Sequence, residues 1–194
     1  MNKNKIMYET DRLVFKVFDG SDMTDEYYSW FYDQEVTKYN SHGLFPYSYK
    51  QREDFLKSIE SGERFVLAVY TKPATISQGV DNISHTPSIQ IGNIDLTSFD
   101  WINRSAELAI VIGDKTAWGQ GYGTEMCNVI LEHGFKKLNM NRIWTGTADP
   151  NAGMKRLAGT VGMKYEGEFR QGKYLNGKYV NIVVYSILKE EYDG

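Results

Sequence analysis

The stretch TAWGQGYGTE, residues 116–125, carries three glycines at alternate positions. An apolar run at residues 106–113 precedes it, and residues 124–138 follow it with the apolar spacing of a helix. Glycine leaves the backbone uncovered, so several amide N–H groups at a helix start can approach one anion. The stretch therefore predicts an anion-binding loop at the beginning of a helix, although a plain tight turn has a similar composition.

Two common nucleotide-binding loops differ from this stretch. A phosphate loop requires Lys and then Ser or Thr after its last glycine, but Gly123 is followed by Thr124 and Glu125, which excludes it. A dinucleotide fold requires glycines directly behind a strand and an acid about 20 residues later. Asp149 stands near that position, but the chain beyond it is too short for the remaining strands and helices. A pyrophosphate-binding loop on a different fold agrees better with these residues than either of the two nucleotide-binding loops.

Strands and helices alternate around the glycines. Apolar alternation and an Asn-Gly turn predict strands at residues 12–18, 64–70, 88–96, 106–113 and 142–148 and a hairpin around 176–177. Helices are predicted at residues 22–36, capped by Ser21 and Asp22, and at 48–61, 124–138 and 151–162, with Gly62 and Gly162 as stops. The apolar run 106–113 should be covered on both faces and run parallel to 142–148. The polar insert 71–87 predicts an exposed mobile loop.

Residues 118–125, WGQGYGTE, resemble the coenzyme A pyrophosphate loop of the GNAT N-acetyltransferase superfamily, Q/R-x-x-G-x-G/A. Three more segments follow the order seen in the branch that acetylates ribosomal-protein N-termini: TDRLVFKVF at 10–18, NMNRIWTGTADPNAGMKRLAGTVGMKYEG at 139–167 and NGKYVNIVVYSILKEEY at 176–192. The resemblance implies an α/β (α+β) fold, with helices flanking a mixed, mostly antiparallel sheet. Two central parallel strands, 106–113 and 142–148, would splay apart. It also implies one N-acetyltransferase domain over 1–194, with a core from about 10 to 192.

The same resemblance implies acetyl-CoA as the acyl donor, bound between the splayed strands. Its contacts would be the loop and strand residues Trp118, Gly119, Gln120, Gly121, Tyr122, Gly123, Thr124, Ala109, Ile110 and Val111, together with Asn151 and Lys155. A backbone N–H of the strand would polarise the thioester carbonyl. Asn151 could equally cap the helix that follows it, and the two roles are compatible.

Acetyl transfer to an amine also requires a base. Glu107 is the charged residue of the apolar strand 106–113, where burial would favour its protonated form and suit it to proton transfer. A glutamate at the exposed beginning of a strand could also be merely solvated or paired. Many family members donate a proton to the leaving thiolate from a Tyr or a Ser, but those positions hold Ala158 and Met154 here, and neither can donate.

The acceptor amine is expected to lie near the first helix. The predicted acceptor contacts are Trp30, Tyr39 and His42, although aromatic residues of a helix also pack into a core. A protein N-terminus, an amino sugar or a small amine would each fit. The predicted activity is an acetyl-CoA-dependent N-acetyltransferase with direct transfer in a ternary complex. A non-catalytic acyl-CoA-binding module on the same fold is the alternative, and a nucleotide-binding oxidoreductase would instead require NAD(H).

Composition limits the classes of partner and ligand that we expect this protein to bind. A net charge of −3 and a pI near 5.7 argue against a general nucleic-acid binder. The single cysteine, Cys127, cannot form an internal disulfide, and the three histidines His42, His85 and His133 have no metal-binding spacing. Neither a signal peptide nor a long apolar span is present, so we expect a cytoplasmic protein with no membrane contact and no metal. Dimers are common in the family, so the resemblance allows a homodimer.

Overall fold

The computed structural model describes residues 6–44, 48–73, 75–77, 83–85 and 88–192. Ten strands are present in this part of the chain: β1 Ile6–Glu9, β2 Leu13–Val17, β3 Phe65–Thr71, β4 Thr75–Ser77, β5 Ile83–His85, β6 Gln90–Asp100, β7 Ser105–Ile112, β8 Arg142–Ala148, β9 Lys164–Leu175 and β10 Lys178–Leu188. The α-helices are α1 Asp25–Tyr32, α2 Tyr49–Glu60, α3 Tyr122–Glu132, α4 Ala152–Thr160 and α5 Lys189–Tyr192. No helix in these ranges is both long and apolar enough to cross a membrane.

Eight of the strands form one sheet in the order β1-β2-β3-β6-β7-β8-β10-β9. Every neighbouring pair is antiparallel except β7 and β8, which are parallel. Parallel pairing covers three residue pairs, Ser105 to Glu107 against Arg142 to Trp144, and then stops. The predicted mixed sheet with two splayed central parallel strands is therefore confirmed.

The helix ends follow the local sequence. Ser48 caps α2 and forms a capping box with Gln51, and Gly62 follows the end of α2 with a φ of 77°. Helix α1 begins later than predicted. Its cap is Thr24, which accepts a hydrogen bond from the Tyr27 N–H, because Gly20–Asp22 forms a separate 3₁₀ turn.

Helix α3 differs from its prediction at both ends. It begins at Tyr122 and continues after Glu132 as a π-helical turn, His133–Lys137. The widened turn brings the His133 ring onto Phe65, with ring centroids 4.0 Å apart, and its Nδ1 within 2.7 Å of the Tyr8 hydroxyl. Local apolar spacing predicted the helix but did not indicate these long-range contacts, which accompany the π-turn.

Two apolar clusters cover the two faces of the sheet. The larger one packs α3 and α4 against the sheet and includes Cys127, whose burial raises the pKa of its thiol to about 12. The smaller one places α1 and α2 on the opposite face and contains Phe18, Met23, Tyr27, Trp30, Phe31, Val66 and Ala68. The sheet therefore separates the α3 side from the α1 side.

Two predictions about strands and loops need correction. Strand β7 is not covered on both faces: Ala106 and Leu108 are buried, but Glu107 and Ala109 are half-buried because their side of the strand adjoins the splay. In the insert 71–87, Thr75–Ser77 and Ile83–His85 pair as antiparallel strands rather than forming a plain loop. Residues 74, 78–82 and 86–87 of that insert lie outside the described residues.

Candidate active site

The site is built around the gap between β7 and β8. After the residue pair Glu107–Trp144, β7 and β8 separate, while β8 stays paired with β10 as far as Ala148. One edge of β7, from Leu108 to Ile112, therefore has no neighbouring strand. Backbone groups on such an edge are available to a ligand that enters the gap.

Alternation along β7 identifies which backbone groups face the gap. The Gly113 N–H donates to Ile91 O at 2.9 Å, and the Val111 carbonyl points at β6, since a Cβ on Gly92 would lie 2.1 Å from its oxygen. Residues 110 and 112 must then point the other way. The Ile112 carbonyl does so, because it accepts a hydrogen bond from Trp118 Nε1 at 2.8 Å. Of the three predicted contacts Ala109, Ile110 and Val111, Ile110 presents its N–H to the gap.

The glycine loop ends at the first turn of α3. Gly119 and Gly121 have φ values of 73° and 81°, a left-handed conformation that side-chain-bearing residues rarely adopt. Gly121 is the N-cap and offers no side chain to the first-turn amides; the Glu125 N–H bonds to the Gly121 carbonyl at 3.3 Å. The amides ahead of Glu125, including those of Tyr122, Gly123 and Thr124, head the helix, where backbone N–H groups and the helix dipole favour an anion.

Two side chains of the loop hydrogen-bond to nearby backbone carbonyl groups. Trp118 Nε1 bonds to Ile112 O, and Gln120 Nε2 bonds to Thr116 O at 2.5 Å. Trp118, which stands where the family has Gln or Arg, therefore joins the loop to the open edge of β7. The side chains of Trp118 and Gln120 are occupied by protein backbone, so their expected contact with a cofactor stays a prediction.

Arg12 also contacts the loop, and sequence reasoning missed it. Its Nη1 donates to Gln120 O at 2.9 Å, and its guanidinium lies 4.4 Å from the centroid of the Tyr122 ring. The basic residue in TDRLVFKVF at the start of a strand is the signal that was present in the sequence.

Asn151 and Lys155 lie on the α3 side of the gap. Asn151 Oδ1 accepts from the Met154 N–H at 3.1 Å, which confirms the helix cap, and its Nδ2 donates to Thr147 Oγ1 at 3.1 Å. Lys155 Nζ lies 2.9 Å from Asp149 Oδ1, and this hydrogen bond raises the pKa of Lys155. A cofactor contact from either side chain would compete with these partners and stays a prediction.

Glu107 lies on the α1 side of the gap. Its carboxylate is half-buried and accepts a hydrogen bond from Ser98 Oγ at 3.1 Å. It stands at the last paired position of β7, where the gap begins. Glu107, the predicted base, therefore lies between the paired part of β7 and the part that borders the gap.

A second carboxylate, Asp95, lies on the same face and was not predicted. Asp95 is a cross-strand neighbour of Ala109, and only 4% of its surface is exposed. Burial raises the pKa of Asp95 to about 7, with the Glu107 charge acting in the same direction and Arg64 opposing it. A lone acid inside the apolar segment IQIGNIDL gave the same kind of signal that singled out Glu107.

The three predicted acceptor contacts differ in exposure. Trp30 is 3% exposed, and a Cβ on Gly113 would lie 1.8 Å from its ring, so its position agrees with the alternative of core packing, and its contact with an acceptor stays a prediction. The apolar side of α1 turns Trp30 into the sheet. His42 lies at the surface, but its ring packs 5.0 Å from Phe31, and this partial burial of the ring, together with the charges of Arg64 and Lys173, lowers the pKa of His42. Tyr39 is half-buried, with Lys38 Nζ 5.7 Å from its ring centroid.

Comparison with known proteins places this geometry in context. Residues 12–164 match the family described as "Acetyltransferase (GNAT) domain". YdaF of Bacillus subtilis strain 168, provisionally named a ribosomal N-acetyltransferase, is 34% identical over 103 residues, 53% of this chain and 56% of YdaF. The chain thus spans about half the length of that relative.

Two further similarities cover nearly the whole chain. YoaA of Bacillus subtilis strain 168, named as an uncharacterized N-acetyltransferase, is 28% identical over 93% of this chain and 96% of its own length. The crystal structure of spermidine N-acetyltransferase from Vibrio cholerae, in complex with CoA and spermine, aligns with a TM-score of 0.76 at 22% identity. It covers 95% of this chain and 100% of that one. At this identity the structural similarity establishes the fold.

Proposed function

The chain belongs to the GNAT acetyltransferase family, and on that premise we propose that it transfers an acetyl group from acetyl-CoA directly to a primary amine. The observation that carries the proposal is the parallel pair that stops at Glu107 and Trp144, beside the glycine loop. The gap supplies a place for an acyl group, and the loop supplies a place for a pyrophosphate. We extend the proposal to one acetyltransferase domain over residues 1–194 and to a cytoplasmic location.

The loop fits the pyrophosphate of the donor. A Cβ on Gly119 would meet nothing within 4 Å, so the backbone there is open to an approaching group. Gly121 leaves the first-turn amides of α3 without a side-chain cap. In the proposal these amides hold the two phosphates, as at other helix starts, and the pantetheine arm runs along the open edge of β7.

Acetyl-CoA supplies a thioester whose carbonyl carbon is open to attack by an amine. The Ile110 N–H, fixed by the pairing of β7 with β6, would donate to the carbonyl oxygen as negative charge develops on it. The attacking amine would approach from the α1 side, where Glu107 accepts the proton that the ammonium must lose. The new C–N bond then forms as the C–S bond breaks, and the thiolate takes the electron pair of the C–S bond. The second proton that the nitrogen loses as the amide forms passes through solvent to the thiolate, which gives free coenzyme A.

The acceptor is an amine-bearing molecule on the α1 side of the gap. The name of YdaF refers to ribosomal N-acetylation, and the Vibrio cholerae neighbour acts on spermidine. Both acceptors present a primary amine, so we propose that chemistry for this chain. A protein N-terminus, an amino sugar and a small amine are the classes to compare.

A non-catalytic acyl-CoA-binding module is the second candidate. Met154 and buried Ala158 favour it, because neither can protonate a leaving thiolate. Both candidates predict coenzyme A binding, and they differ in turnover.

Two measurements test these functions. Acetyl-CoA should raise the melting temperature more than succinyl-CoA or NADH, since a ligand of the native state stabilises it. Release of free coenzyme A, followed across a panel of spermidine, glucosamine and short peptides with a free N-terminus, should then identify an acceptor. Tight binding measured by calorimetry without turnover on any amine would favour the binding module, and stabilisation by NADH alone would contradict both.

A further inference from the structure

A carboxylate lies in the first turn of α3, next to the loop that would take the pyrophosphate. Glu125 belongs to this turn, and 17% of its side chain is exposed. Arg12 Nε and Nη2 donate to its Oε2 at 2.8 and 2.5 Å, and Thr10 Oγ1 donates to its Oε1. The two residues that bind Glu125 both come from the turn before β2, over a hundred positions away in the chain.

Glu125 has opposite effects on the empty and the loaded loop. An acid in the first turn favours the helix through its dipole. The same charge repels a second anion at the helix start, because like charges separated by a few ångströms interact strongly where water is partly excluded. Arg12 balances that charge, and its guanidinium is half-exposed at the mouth of the loop.

Arg12 also fixes the orientation of one amide. Its Nη1 holds the Gln120 carbonyl at 2.9 Å. No cis peptide bond is present in the described residues, and in a trans peptide the carbonyl and the following N–H point in opposite directions. The Gly121 N–H therefore points away from Arg12. A Cβ on Gly121 would lie 3.6 Å from Arg12 Nη2, so the loop and the guanidinium are close neighbours.

We propose that Arg12 is a positioning residue for the donor: it neutralises Glu125 and orients the Gly121 amide, so that the loop receives the pyrophosphate. The inference rests on the proposed function of the loop as the coenzyme A site. Arg12 acts through Glu125 and Gln120 and not on the thioester. Its loss should affect donor binding and leave turnover at saturating donor nearly unchanged.

The experiment compares four proteins by calorimetry with coenzyme A and by acetyl transfer to whichever amine the panel identifies. They are the wild type, Arg12→Met, Glu125→Gln and the double variant. Arg12→Met should weaken coenzyme A binding about tenfold or more, since charge-assisted hydrogen bonds are lost and the Glu125 carboxylate, held by Thr10 alone, is left without a countercharge beside the anion. Adding Glu125→Gln should restore most of the affinity. Arg104→Met, at an exposed residue of the β6–β7 turn, is the matched control.

A donor without phosphates separates positioning from general damage. S-acetylpantetheine has the thioester and the pantetheine arm but no pyrophosphate. Arg12→Met should raise KM for acetyl-CoA and leave the reaction with S-acetylpantetheine unchanged relative to wild type. The defect should also shrink as salt increases, because screening weakens the repulsion by Glu125.

The outcomes are distinct. Wild-type protein that fails to bind coenzyme A would overturn the proposed function itself. If the wild type binds, equal affinity in Arg12→Met would overturn the role of Arg12. A double variant as weak as Arg12→Met would overturn the proposed neutralisation of Glu125, and equal losses with both donors would show that Arg12 serves only to hold the fold. Melting temperatures of all variants identify any that do not fold, and Arg12→Lys then provides a folded variant with one point charge in place of the forked contact.

Discussion

Arg64 Nη1 lies 3.5 Å from Asp95 Oδ2, but the two atoms do not form a hydrogen bond. The pair joins the start of β3 to the middle of β6, and the Arg64 guanidinium lies 5.6 Å from the ring centroid of Phe55 in α2. Asp95 is almost fully buried, whereas about a third of the Arg64 side chain is exposed. Water thus solvates the cation better than the acid, and the incomplete contact offsets only part of the cost of burying Asp95.

This relationship predicts how stability depends on pH. Burial raises the pKa of Asp95 to about 7, above its ordinary value, so the folded protein favours the protonated acid. The associated stabilisation is present below the ordinary pKa and is lost as pH rises through about 7. By linkage, the loss could reach about 4 kcal/mol. Asp95→Asn should remove this dependence, so the variant should gain stability relative to wild type from pH 5 to pH 8.

Urea unfolding of both proteins at pH 5 and pH 8 measures the effect. Asp54→Asn is the control, since this residue is exposed on α2. A wild-type minus Asp95→Asn difference that is the same at both pH values would contradict the prediction.

Lys16 and Asp22 form a buried ion pair on the α1 side of the sheet. Lys16 Nζ lies 2.6 Å from Asp22 Oδ1, and the Tyr70 hydroxyl donates to the same oxygen at 2.6 Å. Asp22→Asn would leave a buried ammonium without its countercharge and should cost about 3–5 kcal/mol. Asp22→Asn combined with Lys16→Met should recover part of that loss. Chemical unfolding of the two variants checks this, and a single variant within about 1 kcal/mol of wild type would contradict it.

Glu107→Gln tests the proposed base. Gln keeps the shape of the side chain but cannot take up a proton, so kcat should fall well over tenfold, within the range attributed to general bases. KM for acetyl-CoA should change little, because Glu107 is near the start of β7, whereas the glycine loop follows the end of that strand. Ser98→Ala removes the hydrogen bond to Glu107 and should have a smaller effect. Unchanged kinetics in a folded Glu107→Gln protein would rule out the base role.

Trp118→Phe tests the link between the loop and β7. Phe retains the ring but loses the N–H that donates to Ile112 O. One hydrogen bond is worth about 1 kcal/mol, so KM for acetyl-CoA should rise about fivefold. Trp101→Phe, at an exposed tryptophan of the β6–β7 turn, is the control. Equal KM values in the two variants would contradict the link.

Gly121→Ala tests the conformation of the loop. The φ of 81° is strained for any side chain, so the variant should lose about 1 kcal/mol and bind coenzyme A more weakly. Gly159→Ala is the matched control, because Gly159 lies inside α4 and a Cβ there would meet nothing within 4 Å. That change should be neutral or stabilising. Calorimetry that finds the two variants equal in coenzyme A affinity would argue against a role for the left-handed turn.

The strands and the glycine loop were predictable because they are written in short-range patterns. Apolar alternation identified β2 and β3, and Asn176-Gly177 identified the β9–β10 hairpin. Partners distant in sequence were not predictable. Arg12 reaches Glu125, and Arg64 reaches Asp95, only after the sheet has brought their strands together. The helical spacing of Met23, Tyr27, Trp30 and Phe31 did indicate an apolar side of α1, and these four residues lie in the smaller cluster.

Cys127 has a practical consequence for every assay of this protein. Its sulfur is enclosed by the α3 cluster, and with a pKa near 12 it carries almost no thiolate at neutral pH. It is also the one sulfhydryl in the chain. A chromogenic thiol reagent should therefore give no signal with the folded protein. The absorbance that develops during turnover then measures the amount of coenzyme A released. On unfolding, the same reagent should react with one equivalent of thiol per chain, so the reaction also measures the fraction of protein that is unfolded.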